Sequence, residues 1–210
     1  MLVHLIDSLD HGFTRIQVRT VDSDVVVILI GQFHKLLSRC PDLVLWVAFG
    51  MGKNFTYYKV NDICSELGYC ASRCLPIFHS LTGCDTTSAF VGIGKKTEYK
   101  VWMDFEEVND AFMFISDHPF CNLHTNEAPF KLVEQYIVKL FDRSSTLSSV
   151  SACRKDLFCH HDKSSLDQIP PTQVSSNIFS GFERLTVEPE TNPQLKCCLS
   201  NPEFWLKHMF

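Results

Sequence analysis

Apolar residues recur along the first 120 positions at two spacings, one typical of strands and one typical of helices. Residues 16–19 alternate between apolar and polar side chains, which predicts a short strand. Residues 24–37 carry apolar side chains at helical spacing behind an acidic start and predict a buried helix. The β-rich run 43–49 predicts a central strand that is covered on both faces. Strands that alternate with helices in this way predict an α/β domain with a mostly parallel sheet.

A glycine turn is predicted at residues 50–52, and one strand and several helices are predicted after it. The remaining predicted elements are a strand over residues 55–60 and helices over residues 61–67, 73–81, 97–105 and 128–141. Gly68 closes the first of these helices, and the last one has an apolar stripe that predicts burial against a core.

A serine-rich run divides the chain into a predicted domain and a predicted tail. Residues 144–149 have the composition of a flexible linker. Residues 151–210 contain five of the nine prolines and show little periodicity. We therefore expect one domain over residues 1–143 and, over residues 144–210, a linker with a poorly structured tail that is extended or partly helical.

Composition narrows the class of protein. Hydrophobic residues make up 45% of the 210 and charged residues 20%, which excludes a wholly disordered chain. The net charge of −5 excludes a strongly basic nucleic-acid binder, so any DNA binding requires a local basic patch. No run approaches the roughly 20 apolar residues of a membrane span, and no secretory signal pattern is visible. We therefore expect an intracellular protein, nuclear or cytoplasmic, whose ten cysteines are thiols.

Two carboxylates follow the first predicted strand and open the first long helix. Asp22 and Asp24 lie where ligand sites form in open α/β sheets, at the carboxyl end of a strand. Two carboxylates at this spacing can chelate a hard cation such as Mg²⁺. The alternative is that they only cap the helix, which is a common role for Asp at this position.

A glycine-rich turn between two predicted helices is a second candidate. Gly92-Ile93-Gly94 exposes backbone N–H groups at a helix start, an arrangement that suits phosphate, and Lys95, Lys96 and Lys100 follow it. The alternative is an ordinary helix–turn–helix corner with lysines in water.

Taken in order, these segments resemble the flap-endonuclease type of 5′ nuclease in the PIN-like superfamily. The resemblance is carried by Thr20-Val21-Asp22-Ser23-Asp24, by Gly83-Cys84-Asp85 and by the glycine–lysine run at 92–96. The run Leu75 to Ser88 is also similar to one in transposon-associated animal proteins, and so are Pro170-Pro171-Thr172 and Asn192-Pro193-Gln194-Leu195.

The resemblance implies a fold and a set of site residues. It implies a three-layer PIN-like domain with a helix–hairpin–helix, Mg²⁺ or Mn²⁺ as the cofactor, and DNA as the partner. The implied metal ligands are Asp22, Asp24 and Asp85, and the implied backbone-gripping residues are Gly92, Gly94, Lys95 and Lys96, with Lys100 adding charge beside them.

The departures from the family bear on catalysis. Nucleases of this family hold two metal ions about 4 Å apart, and that site takes more carboxylates than the three matched here. The first strand and the acidic helix of the family find no match, so we expect a domain that lacks its N-terminal part. We therefore expect weak or absent hydrolysis and leave open whether the chain is an enzyme. The alternative is a non-catalytic remnant of a mobile element that binds nucleic acid or protein.

Three further sets of residues are expected to have structural rather than functional roles. Cys153, Cys159, His160 and His161 lack the paired spacings of zinc sites. A dyad of Cys84 with His79 is less favoured than a core histidine on an apolar helix. The remaining residues with an expected core role are Cys64, Cys70, Cys74 and Cys84 as small hydrophobes, and Phe112, Phe114 and Phe120 rather than a base-stacking platform.

Overall fold

The structure, a computed structural model, describes residues 1–84, 90, 92–118, 127–160 and 169–170. Within these ranges the fold is α/β, as predicted, and mostly helical. The elements are α1 (Leu2–Asp10), β1 (Arg15–Thr20), α2 (Ser23–Arg39), β2 (Val44–Phe49), a 3-10 turn (Gly52–Asn54), β3 (Thr56–Lys59), α3 (Val60–Leu81), α4 (Lys95–Asp104), α5 (Val108–Asp117), α6 (Ala128–Phe141) and α7 (Val150–His160). None of the helices in the described ranges combines the length and the apolar character needed to cross a bilayer.

The three described strands form a mixed sheet in the order β1-β2-β3. β1 and β2 are parallel, whereas β2 and β3 are antiparallel, so the prediction of a mostly parallel sheet is only half met. The reason is the length of the connections. α2 provides the crossover of a dozen or more residues that a parallel pair requires, but only six residues, 50–55, join β2 to β3. The PIN-like three-layer arrangement and its helix–hairpin–helix stay predictions.

The two faces of the sheet differ in burial. Leu45 and Val47 of β2 are fully buried, and Val18 and Tyr58 lie beside them on the same face. α2 packs against β1, and a βαβ crossover places its helix on one face of the sheet. We therefore place α2 on this buried face. On the opposite face Trp46 is only half-buried, so β2 is the central strand as predicted but is more deeply covered on one side.

The side chain of Asn61 extends the hydrogen bonding of β2 beyond the end of β3. Its Nδ2 donates to the Leu43 carbonyl oxygen at 2.8 Å, and its Oδ1 accepts from the Leu45 backbone N–H at 2.9 Å. Asn61 is the second residue of α3, so one side chain fixes the start of this helix against the central strand.

Cα packing divides the chain into two compact units. Among the described residues, the first unit contains 1–76 and the second contains those from 77 to 170. This division does not coincide with the predicted domain edge after residue 143, which stays a prediction.

α3 contains a break at the glycine that the sequence marks as a helix stop. Gly68 has φ +75° and ψ 171°, which interrupts the helical backbone as the predicted end of the helix over 61–67 requires. Beyond this break, Pro76 packs closely on α2. A Cβ atom on Gly31 would lie 2.3 Å from Pro76 Cγ, so this contact needs a glycine in α2.

The second unit is built around aromatic rings. Phe78 stacks on Trp102 at a centroid distance of 4.6 Å, and Phe112 contacts the edges of both Trp102 and Tyr136. The predicted core role of Phe112 is confirmed, because its side chain is fully buried. Phe114 is half-buried and stacks on His118, and Phe120 lies outside the described residues.

Candidate functional site

The predicted acidic site is a tightly bonded turn between β1 and α2. Asp22 is the N-cap of α2, and its Oδ1 accepts from the Asp24 backbone N–H at 2.8 Å. The Thr20 hydroxyl accepts from the Asp22 backbone N–H at 3.0 Å, which orients the cap. The capping role that the sequence allows for Asp22 is therefore present. Asp22 is exposed and Asp24 is half-buried.

The end of β2 lies beside this turn. The Gly50 backbone N–H donates to the Thr20 carbonyl oxygen at 3.1 Å and continues the parallel pairing past the end of β2. Gly50 has φ +86°, and a Cβ atom there would lie 2.5 Å from the Asn54 carbonyl oxygen, so the position requires glycine. The carboxyl ends of the two parallel strands thus form one edge, which carries Asp22 and Asp24.

The third predicted metal ligand, Asp85, lies outside the described residues. Within the described ranges no group of three His, Cys, Asp or Glu side chains is placed to hold a metal ion. The predicted trio with Mg²⁺ or Mn²⁺ therefore stays a prediction.

The predicted DNA-gripping residues surround the start of α4. Gly92 and Gly94 are exposed, and a Cβ atom on either would meet nothing within 4 Å. Gly94 is the N-cap of α4 and has no side chain to accept from the first-turn N–H groups, although its carbonyl oxygen accepts from the Thr97 N–H at 2.8 Å. Lys96 and Lys100 are exposed, one helical turn apart.

Lys95 differs from its neighbours because its ammonium group bonds to the end of α3. Its Nζ donates to the His79 carbonyl oxygen at 3.1 Å and to Thr82 Oγ1 at 3.0 Å, and it lies 3.2 Å from His79 Nδ1. A cation at the last carbonyl groups of a helix is favourable. Lys95 therefore joins the two helices on either side of the glycine turn, whereas Lys96 and Lys100 face solvent.

A buried carboxyl group beside this turn was not predicted from the sequence. Glu98 is fully buried, and neither of its carboxylate oxygens has a hydrogen-bond partner among the described residues. Burial raises the pKa of Glu98 to about 7, and the positive charge of Lys95 opposes part of that rise. Tyr136 of α6 donates its hydroxyl to the Glu98 backbone carbonyl oxygen at 3.0 Å. A signal was available, since Glu98 precedes the core residues Val101 and Trp102 by three and four positions, on one helix face.

The other cysteine and histidine candidates differ from one another in burial. His79 is buried, as expected for a core histidine, and its Nδ1 faces Lys95 rather than a thiol. Cys64 and Cys74 are buried as predicted, but Cys70 is exposed. Cys153 is buried and Cys159 is exposed, so the two do not present one ligand face, while the His160 side chain and His161 lie outside the described residues.

Comparison with known proteins does not assign this chain to a family. No protein-family profile, no curated protein and no solved structure matches this chain. The resemblance to PIN-like nucleases therefore rests on the residues of the chain itself.

Proposed function

We propose that this chain is a PIN-like, nuclease-derived protein that binds the phosphate backbone of DNA through residues 92–100 and has weak or no hydrolytic activity. The observation that carries the proposal is the start of α4. An open Gly-Ile-Gly turn precedes the backbone N–H groups of Lys95 and Lys96, which no side chain of the cap residue covers. Such groups, with the helix dipole behind them, favour a phosphate.

The lysines around this turn divide into two roles under the proposal. Lys96 and Lys100 are exposed and one turn apart, so both can approach phosphates on one side of α4. Lys95 positions the turn, because its ammonium group is engaged by His79 and Thr82. Backbone contacts of this kind bind without reading the base sequence.

The metal part of the proposal assigns Asp22, Asp24 and Asp85 to one Mg²⁺ or Mn²⁺ ion. The capping bond uses one of about four lone-pair positions of the Asp22 carboxylate. The other lone pairs of the Asp22 carboxylate are hard oxygen donors, the kind that Mg²⁺ and Mn²⁺ bind, at the carboxyl edge of the parallel strands. Bound there, the ion would supply charge neutralisation at phosphate. Three carboxylates are few for the pair of ions that in-line hydrolysis uses. We therefore propose DNA binding, rather than DNA cleavage, as the main activity.

The binding test compares two double variants that remove the same charge. Lys96→Gln/Lys100→Gln should weaken the binding of a branched DNA in fluorescence anisotropy. The slope of log affinity against log salt should fall by about 0.9 for each duplex phosphate that the variant no longer neutralises. Lys131→Gln/Lys155→Gln, on exposed lysines of α6 and α7, is the matched control and should bind as wild type does. Equal weakening in both variants would mean that binding follows net charge and would refute the assignment.

The metal assignment is tested first without DNA and then by DNA cleavage. Mn²⁺ should raise the melting temperature of the wild type but not that of Asp24→Asn. A ligand at 100 times its dissociation constant stabilises a fold by about 2.7 kcal/mol. If Asp24→Asn cleaves branched DNA in Mn²⁺ as fast as wild type does, the metal assignment is wrong. DNA binding that is strong, salt-dependent and unaffected by metal would favour the alternative, a non-catalytic protein that binds nucleic acid.

A further inference from the structure

The strand register gathers basic and aromatic side chains on the less buried face of the sheet. Gln17 pairs with Trp46 across β1 and β2, and Trp46 pairs with Lys59 across β2 and β3. Paired residues project on the same side of a sheet, and alternate residues along a strand share a face. The basic–aromatic face therefore consists of Arg15, Gln17, Arg19, Trp46, Tyr57 and Lys59, together with Val44 and Ala48.

The charge of this face is positive. Its side chains include three cations and no carboxylate. Arg15 and Arg19 are exposed, and neither forms an ion pair with a described residue. The Lys59 ammonium group is compensated by Asp62 at 2.5 Å. Two arginines on β1 thus supply the uncompensated charge, in a chain whose net charge is −5.

The aromatic rings of this face are partly exposed. Trp46 and Tyr57 are half-buried, whereas Trp102, the other described tryptophan, is fully buried. Phe55 meets the Tyr57 ring edge-on at 4.8 Å, and the Arg19 guanidinium lies 5.1 Å from the Phe55 centroid. Because Tyr57 pairs with Ala48, two residues after Trp46, Trp46 and Tyr57 are diagonal neighbours on this face, at a residue spacing of about 7–8 Å.

We infer that the basic–aromatic face binds single-stranded nucleic acid, with bases stacked on Trp46 and Tyr57 and phosphates beside Arg15 and Arg19. Aromatic rings within a positive surface suit unpaired bases, because every base has a flat π-face and every nucleotide a negative charge. A duplex fits less well, since its bases are already stacked. An acidic peptide also fits less well, since extended peptides add to the edge of a sheet rather than to its face. The site consists of other residues than 92–100 and does not depend on the proposed function.

The first experiment locates the bound strand without a mutation. Wild-type protein is irradiated with an oligothymidine 12-mer that carries 5-iodouracil, and the crosslinked peptides are mapped by mass spectrometry. Crosslinks at Trp46 or Tyr57 are expected. Crosslinks confined to residues 92–104, or a wild type that does not bind the 12-mer at low salt, would overturn the inference.

The second experiment separates charge from stacking by anisotropy with the same 12-mer. Arg15→Gln/Arg19→Gln should lower the salt slope by about 0.7 for each phosphate that the variant no longer neutralises. Trp46→Leu should weaken binding by about 5- to 150-fold, the range for removal of one stacked base, while Trp46→Phe should retain most of it. Lys131→Gln/Lys155→Gln should bind as wild type. An arginine variant that binds as wild type does would refute the site, and equal competition by polyglutamate would assign the face to an acidic protein instead.

Discussion

The buried carboxyl group of Glu98 makes the stability of the fold depend on pH in a calculable way. Its pKa rises from the ordinary 4.5 to about 7, and one pKa unit corresponds to about 1.4 kcal/mol. An ionised Glu98 therefore costs the folded state about 3 kcal/mol. Replacing it by glutamine removes the ionisation and leaves a side chain of nearly the same shape.

The sign follows from which state loses its proton first. Below pH 4.5 Glu98 is protonated in both states, and no penalty applies. Between pH 4.5 and about 7 the unfolded chain loses the proton while the folded chain keeps it, so the free energy of unfolding falls as pH rises. Above pH 7 both states are ionised and the full penalty remains.

The assay is urea unfolding of wild type and Glu98→Gln at a series of pH values from 4 to 8.5. The stability of the variant minus that of the wild type should increase by about 3 kcal/mol over this range. The amide has unpaired polar atoms of its own, but their cost does not change with pH and cancels from the increase. Glu106→Gln, at an exposed glutamate, is the matched control and should show no such increase.

A difference that stays constant across the pH range would refute the reasoning. It would mean that the ionised Glu98 is solvated or paired in the folded protein. Replacing the neighbouring cation in Lys95→Met should extend the fall in stability to higher pH, because Lys95 holds the pKa of Glu98 in the folded protein down.

Three further changes test the packing around the sheet. Asn61→Ala should lower the free energy of unfolding by about 2 kcal/mol in urea unfolding, because it leaves the Leu43 carbonyl and the Leu45 N–H without partners, and an unchanged stability would refute that role. Gly50→Ala should cost more than Gly12→Ala: both glycines have positive φ, but only at Gly50 would the new Cβ atom clash, so equal destabilisation in thermal melts would refute the clash. Asp22→Ser should keep the cap of α2 and the melting temperature, whereas Asp22→Ala should lower the stability by about 1 kcal/mol; equal melts of the two would show that the cap contributes nothing.

Features that depend on neighbouring residues were predictable from the sequence. The strand before Asp22, the helix after it and the helix stop at Gly68 all follow from capping chemistry and local spacing. The direction of β3 was also within reach, because six connecting residues cannot carry a parallel crossover.

Features that depend on distant residues were not predicted. Lys95 was assigned to phosphate because it follows Gly94 in sequence, but its ammonium group reaches the end of α3, sixteen residues earlier. The burial of Glu98 requires α6, which follows it by thirty residues and carries Tyr136 against its carbonyl. α7 lies in the predicted tail; among its described side chains only Val150 and Cys153 are buried, which is too few for a periodic signal.

The outer strand of the sheet has a consequence for self-association. Among the described strands β1 lies at an edge, and in a parallel ladder alternate residues bond the neighbour, so the backbone groups of Arg15, Gln17 and Arg19 point away from β2. If two copies paired their β1 edges antiparallel about Gln17, Arg15 of each copy would face Arg19 of the other. Like charges directly opposite destabilise a strand pair, and charged edge strands resist edge-to-edge aggregation. The same two arginines that make one face attractive to phosphate therefore also keep the strand from templating a second copy of itself.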